Sequence, residues 1–279
     1  MKTWFVTGAS RGFGNLIVQQ LLEAGEAVVA SARDPRELAE RFGANPRFLA
    51  VPLDVTNEGQ AAEAVRLAVG KFGRIDVLVN NAGYGLLGAV EEASAAEVQR
   101  VFSTNVFGLL SVTRAVLPVM RSQRSGHVLN VSSVGGYVSY PGWGVYCATK
   151  FAVEGLSEAL ALELAPLGIH VTVVEPGFFR TDFLDARSKV VTERRIEDYD
   201  GTVGAMRTRM EEVNHAQPGD PAKLPGALMA IVRAEKPPVR LQLGSDTVEI
   251  IEAKNRQVAA ELAAWRSLAL STDFPADAR

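Results

Sequence analysis

The stretch from Thr3 to Ala30 constrains the fold of this chain more than any other. Thr3-Trp4-Phe5-Val6 is a short apolar strand that runs into Thr7-Gly8-Ala9-Ser10-Arg11-Gly12-Phe13-Gly14. Leu16, Ile17, Leu21 and Leu22 then give a helical apolar face, Gly25 stops the helix, and Val28-Val29-Ala30 is a second strand. A strand, a loop, a helix and a strand within about thirty residues form a βαβ unit, which makes the two strands parallel. The glycines permit a tight turn and a close approach of backbone to a ligand. The helix N-terminus behind them offers unpaired N–H groups to an anion. A tight turn made only for packing is the rival reading. The strand–loop–helix setting outweighs it and marks Gly8, Ser10, Arg11, Gly12, Phe13 and Gly14 as a dinucleotide phosphate site.

The alternation continues to the end of the chain. Helices are predicted over Arg36–Phe42, Glu58–Phe72 and Ala95–Val119, then from Tyr146 to about residue 165, over 221–234 and over Asp246–Leu268. Strands are predicted over Phe48–Leu53, Ile75–Asn80, His127–Val131, Ile169–Glu175 and Val239–Gly244. This order predicts one α/β domain over 1–279: a doubly wound, Rossmann-like parallel sheet of about seven strands with helices on both faces. Residues 183–218 break the regularity with mixed charges and scattered apolar positions, and read as two short helices forming a lid over a substrate. Residues 237–279 supply a last strand and helix. With 47% hydrophobic residues the chain can fill a large core. A net charge of −3 argues against nucleic acid as a partner. The lone Cys147 rules out an internal disulfide, and His127, His170 and His215 have no metal-ligand spacing, so no metal is expected. The chain enters a strand at once, leaving no room for a signal peptide, and no run of about 18 apolar residues suggests a membrane span. A reducing cytoplasm is the expected location.

Tyr146 and Lys150 stand four apart on a helix and share a face. A phenol beside an ammonium is a proton-transfer pair, the positive charge being expected to lower the phenol pKa. Taken alone, the spacing more often reports an ordinary surface pair. Strand two ends Ala30-Ser31-Ala32-Arg33, with Ala32 where NAD-dependent Rossmann proteins carry an acid for the ribose. Arg33 and Arg11 are two guanidinium groups suited to a 2′-phosphate.

Gly8-x-x-x-Gly12-x-Gly14, preceded by Thr7, joins Asn80-Asn81-Ala82-Gly83 and Tyr146-x-x-x-Lys150 in one ordered set. Over residues 3–182 the chain resembles the short-chain dehydrogenase/reductase family. The resemblance implies NADP(H) in preference to NAD(H), since basic residues at Arg11 and Arg33 go with NADP in that family. It implies that Asp54, with Val55, closes the adenine pocket, although an N-cap role for Asp54 or Thr56 on the following helix is an alternative. It implies that Asn81, Ala82 and Gly83 lie against the cofactor, that Pro176-Gly177 covers the nicotinamide, and that the Phe179 N–H and the Thr181 hydroxyl bind its carboxamide. Ser133, 13 residues before Tyr146, would hydrogen-bond the substrate oxygen, in preference to Ser132. Asn105, an uneasy residue inside an apolar helix, would perturb that helix and hold a water of the proton relay. Lys150 would lower the Tyr146 pKa and bind the nicotinamide ribose.

Tyr84, Val138, Tyr140, Trp143, Phe178, Phe179, Phe183 and Met206 are the candidate pocket residues. Their apolar character, with no Arg or Lys cluster beside them, predicts a hydrophobic ketone or aldehyde. Two readings compete with an NADPH-dependent carbonyl reductase: a NAD-dependent secondary-alcohol dehydrogenase, and a non-catalytic NADP(H)-binding regulator. The family's habit of pairing its long helices, here 97–120 and 146–165, predicts a homodimer or homotetramer.

Overall fold

The computed structural model describes residues 1–185 and 188–274. The strands are β1 (Thr3–Val6), β2 (Ala27–Ala32), β3 (Phe48–Pro52), β4 (Val77–Asn80), β5 (Gly85–Leu87), β6 (Gly126–Val131), β7 (Ile169–Pro176), β8 (Lys189–Val191) and β9 (Arg240–Leu243). The helices are α1 (Gly12–Glu23), α2 (Arg36–Phe42), α3 (Glu58–Phe72), α4 (Ala95–Phe102), α5 (Leu109–Gln123), α6 (Gly144–Leu164), α7 (Ala205–Glu212), α8 (Leu224–Arg233) and α9 (Ser245–Leu270). Seven strands form one parallel sheet in the order β3-β2-β1-β4-β6-β7-β9. The order reverses between β1 and β4, the switch point at which such sheets open a crevice beyond the strand carboxyl ends.

Alternate residues of each strand feed two separate cores. Trp4, Val6, Val28, Ala30, Val77 and Val79 pack with Ile17 and Leu21 of α1 and Leu224 and Leu228 of α8. Phe5, Val29, Leu78 and Val128 point the other way, against Ala64 and Val65 of α3 and Val112 and Val116 of α5. Because both faces are covered, the central strands are apolar at nearly every position rather than at every second one.

Several local expectations change. The helix expected over Ala95–Val119 runs to Gln123 and contains a π turn at Ser103–Gly108, which holds Asn105. Residues 95–123 are long and apolar enough to cross a membrane (mean hydropathy 1.3), which a search for an unbroken apolar run does not detect; half of that apolar window is buried inside the domain. The N-cap of α3 is Asn57, whose side chain accepts from Gln60 N, so neither Asp54 nor Thr56 caps that helix. β5 and β8 pair in a small parallel sheet that was not expected, because three-residue strands are too short to show a period. Among the described residues, the 183–218 segment holds one α-helix, α7, entered through a π turn at Asp200–Gly204, and only 3₁₀ turns at Asp182–Leu184 and Glu197–Tyr199 where a second short helix is expected. Residues 186–187 of that segment and 275–279 of the final span lie outside the described residues.

Candidate active site

A cleft of about 970 Å³ runs along the carboxyl ends of the strands. Gly8, Ser10, Arg11, Gly12 and Phe13 line one end. Gly8 and Gly12 adopt φ of +62° and +51°, a region that favours glycine. Gly14 lies behind the loop, where a Cβ would fall 2.3 Å from Gly8 O and 2.8 Å from Asn81 Nδ2. Arg11 is the N-cap of α1 and its side chain makes no capping bond, so the first N–H groups of α1 are left to an incoming anion. The neighbouring strand end is stitched to the loop: Thr7 Oγ1 accepts from Asn81 N (2.9 Å) and Ala82 N (3.0 Å), and Asn81 Nδ2 donates to Thr7 O (2.9 Å). A Cβ on Gly8 would sit 2.9 Å from Ala82 Cα. Ala32, Arg33, Asp54, Val55, Asn81, Ala82 and Gly83 continue the same wall. The Asp54 carboxylate accepts from the Thr56 hydroxyl (2.7 Å) and N–H (3.0 Å), bonds that hold its pKa below the usual range with help from Arg33. These features fit a dinucleotide: a glycine cradle, an open helix N-terminus for the phosphates, and no acid at Ala32.

Tyr146 and Lys150 project from α6 into the other part of the cleft, both 7% exposed. The Ser133 hydroxyl accepts from Gly135 N at 3.0 Å and lies close enough to the Tyr146 phenol to lower its pKa. Ser132 instead faces Glu154. Lys150 Nζ donates to Val131 O (2.9 Å) and lies 5.8 Å from the Tyr146 ring centroid. Burial pushes the phenol pKa up, against the lowering effect of the Ser133 hydroxyl. Burial likewise takes the Lys150 ammonium down to about 8, with the Glu154 charge opposing. The expected lowering of the phenol by the ammonium is therefore corrected: loss of solvent dominates both groups.

Asn105 does not line the cleft. Its Nδ2 donates to Tyr84 O (3.0 Å) and Thr149 Oγ1 (3.1 Å), and its Oδ1 accepts from Tyr84 N (3.1 Å). A side chain on Gly83 would lie 3.1 Å from Asn105 Oδ1 and 3.8 Å from Lys150 Nζ, so the glycine leaves both groups facing one small space.

Tyr84, Tyr140, Trp143, Phe178, Phe183 and Met206 line the remaining wall, as do Pro176, Gly177, Phe179 and Thr181. Val138 does not. The turn at Val134–Gly136 returns the Val138 N–H to Val134 O (3.0 Å), and Val134 lines the cleft instead. Trp143 meets Tyr146 edge-on at 5.5 Å between centroids, and Phe183 stands 5.6 Å from Tyr146. Leu184, Met210, Arg209, Gln217 and Ile250 line the cleft without having been singled out. Of these only Met210 had a signal, four residues after Met206 on one helix face.

The 189–207 segment is anchored on acids just after β5. Glu92 accepts from Ile196 N (2.9 Å), Ala89 N (2.7 Å) and Arg207 Nη2 (2.5 Å). Glu97 accepts from Glu193 N at 3.1 Å and closes the capping box with Ser94.

The sequence model of the family described as short chain dehydrogenase matches residues 2–191. A 3-ketodihydrosphingosine reductase of Bacteroides thetaiotaomicron is 42% identical over 253 residues, 90% of each chain. The crystal structure of a short-chain dehydrogenase from Streptomyces avermitilis is 41% identical, covering 98% of this chain and 100% of that one, with a TM-score of 0.90. A Burkholderia phymatum member solved with NAD is 25% identical (TM-score 0.81, 93% and 95% covered). A serine dehydrogenase solved with NADP+ is 28% identical (TM-score 0.73, 86% and 94% covered). Sheet order, glycine cradle and buried Tyr146–Lys150 pair agree with these likenesses, and the chain belongs to the short-chain dehydrogenase/reductase family of NAD(P)-dependent oxidoreductases.

Proposed function

We propose that this enzyme reduces a hydrophobic ketone or aldehyde reversibly with NADPH. The observation that carries the reading is the buried Tyr146–Ser133 pair, which opens onto an aromatic wall at one end of a cleft whose other end is a glycine loop flanked by Arg11 and Arg33. The cofactor, when bound, supplies the hydride. Gly8, Ser10, Gly12 and Phe13 would hold its phosphates, Arg11 and Arg33 the 2′-phosphate, Asp54 and Val55 the adenine, and Phe179 and Thr181 the carboxamide. Tyr146 donates the proton to the substrate oxygen in reduction and accepts it in oxidation. Burial holds the phenol in its protonated form, and the Lys150 charge beside it would ease release of that proton to the substrate oxygen. Ser133 hydrogen-bonds that oxygen as charge develops. Lys150, charged at neutral pH, balances the phenolate left behind. Asn105 would hold a relay water in the space it shares with Lys150 beside Gly83.

Residues 183–218 would act as the lid, with Phe183 and Met206 setting an apolar pocket. The proposal extends to a cytoplasmic location and to a homodimer or homotetramer, the latter supported by the exposed Phe107 and Phe151 on the two helices expected to pair and checked by light scattering.

The test is absorbance loss at the reduced nicotinamide band with a panel of hydrophobic ketones and aldehydes, using NADPH and NADH in parallel. NADPH is expected to be preferred. Tyr146→Phe should lose at least about tenfold in turnover while binding cofactor normally. Arg11→Ala with Arg33→Ala should raise the NADPH Michaelis constant at least about tenfold. Unchanged NADPH kinetics in that double variant would favour the NAD-dependent alcohol dehydrogenase.

A further inference from the structure

Gln217 is a buried polar side chain of the cleft that no role above uses. It is 3% exposed, lines the cleft, and its Oε1 has no hydrogen-bond partner among the described residues. An unpaired buried acceptor costs about 1–3 kcal/mol, so such a group in a binding cleft is aimed at a ligand.

Three contacts fix where Gln217 sits. Its carbonyl accepts from Arg180 Nε (3.2 Å) and Nη2 (3.1 Å). Arg180 N donates to Gly219 O and Gly219 N to Phe178 O, both at 2.9 Å. Residues 217–219 are thereby laced to the loop after β7. That loop reaches the glycine cradle, because the Phe179 ring meets Phe13 edge-on at 5.4 Å. It also leads directly into Phe183, which packs on Tyr146. Gln217 therefore lies on the wall between the phosphate cradle and the proton donor. A dinucleotide stretched between those two places its nicotinamide there. The polar substituent on that ring is the carboxamide, whose amino group carries two N–H donors, one more than the Thr181 hydroxyl can take.

We propose that the Gln217 side-chain carbonyl accepts a hydrogen bond from the carboxamide amino group of the bound nicotinamide and so fixes the ring's orientation in the cleft. This rests on the dinucleotide reading of the cleft. It is independent of which carbonyl compound is reduced and of the NADP preference, because NAD and NADP share the carboxamide. Gln217 also lies beyond residues 2–191, which carry the family match, so the assignment is specific to this chain's C-terminal part.

The test reads binding, not turnover. Cofactor affinity is measured by quenching of tryptophan fluorescence, Trp143 lining the cleft, with NADP+ and with its 3-acetylpyridine analogue, in which a methyl group replaces the amino group. Loss of one buried hydrogen bond predicts that the unsubstituted protein binds the analogue about tenfold more weakly than NADP+. Gln217→Leu should lose about tenfold of that discrimination, keeping only what the Thr181 hydroxyl contributes, with NADP+ about tenfold weaker than in the unsubstituted protein. Gln217→Glu keeps the acceptor and should keep the discrimination. If the NADP+ affinity were too weak to read, the NAD+ pair of ligands serves identically. The proposal is overturned if Gln217→Leu discriminates against the analogue as strongly as the unsubstituted protein does, or if it binds NADP+ within about twofold of the unsubstituted protein.

Discussion

Glu92→Gln is expected to release the cleft wall without touching the cofactor site. The Glu92 side chain is fully buried, and that of its partner Arg207 is 13% exposed. Burial alone would raise the Glu92 pKa, but the N–H groups of Ile196 and Ala89 and the Arg207 charge outweigh it and hold the carboxylate below its usual range. Its two oxygens serve three donors. A glutamine offers only one oxygen, so at least one donor is left facing an NH₂ group. Losing one charge-assisted bond costs about 1.5–3 kcal/mol. Leaving the Arg207 guanidinium buried without its counter-charge costs roughly 3–5 kcal/mol. The two overlap, so a total of about 3–5 kcal/mol is expected. If that segment unfolds with the domain, the melting temperature falls by roughly 5–9 °C. If it opens locally, amide exchange over 189–212 accelerates at least about a hundredfold while α1 and α3 stay protected. In either case Met206 and Met210, beside Arg207 on α7, no longer hold the apolar wall. The Michaelis constant for a hydrophobic ketone should rise about tenfold or more while cofactor affinity stays within about twofold. Calorimetry, hydrogen exchange and substrate kinetics report the three effects. A melting temperature unchanged within about 2 °C together with an unchanged Michaelis constant would refute the anchoring argument.

Three shorter predictions follow from other parts of the structure. Gly14→Ala places a methyl group 2.3 Å from a backbone oxygen that cannot move alone, so the glycine loop must shift; stability should fall by about 1–3 kcal/mol and cofactor affinity should fall with it, read by melting and by ligand titration. His127 is held down to about 3 by burial, with the His170 and Lys2 charges adding, and its Nε2 is 2.9 Å from a Thr172 hydroxyl whose own proton goes to Pro238 O. Between the unfolded value of about 6.5 and that folded value, the unfolded chain binds a proton that the folded chain refuses. The stability is full above pH 6.5 or so and is lost on acidification, by about 2–3 kcal/mol at pH 4.5, and His127→Gln should flatten that slope in denaturant titrations at several pH values. Lys150, with its pKa brought down to about 8 by burial, should make kcat/KM for the reduced cofactor fall as pH rises through that value, and Lys150→Arg should move the alkaline limb upward. A limb that stays in place in the arginine variant would assign it to another group.

Sheet, helices and glycine loop were readable because each depends on a local pattern. Arg36–Phe42 and Glu58–Phe72 carry an apolar period along consecutive residues, and the helices occupy those bounds. The π turn around Asn105 was readable as a misfit but not as a geometry, because its cause is a side chain bonded to the Tyr84 backbone and to Thr149 on another helix. The upward shift of the Tyr146 phenol was missed for a similar reason. Spacing reveals the neighbouring ammonium, whereas desolvation depends on everything packed around the ring. Val138 is an apolar candidate for the pocket by residue type alone, and a three-residue 3₁₀ turn is enough to exclude it.

The amino-acid order by itself determined the parallel sheet, the dinucleotide cradle between β1 and α1, and the pairing of Tyr146 with Lys150. These follow from strand alternation, glycine stereochemistry and the i, i+4 geometry of a helix, all properties of neighbouring residues. Tertiary structure alone decided the shape and anchoring of the substrate side. Glu92 meets Arg207 across 115 residues, β5 pairs with β8, and Gln217 is brought to the cleft by its bonds to Arg180. Such contacts join groups whose separation in the chain carries no period. They form because burying a charge or an amide is costly until a partner is found, and folding brings the partner.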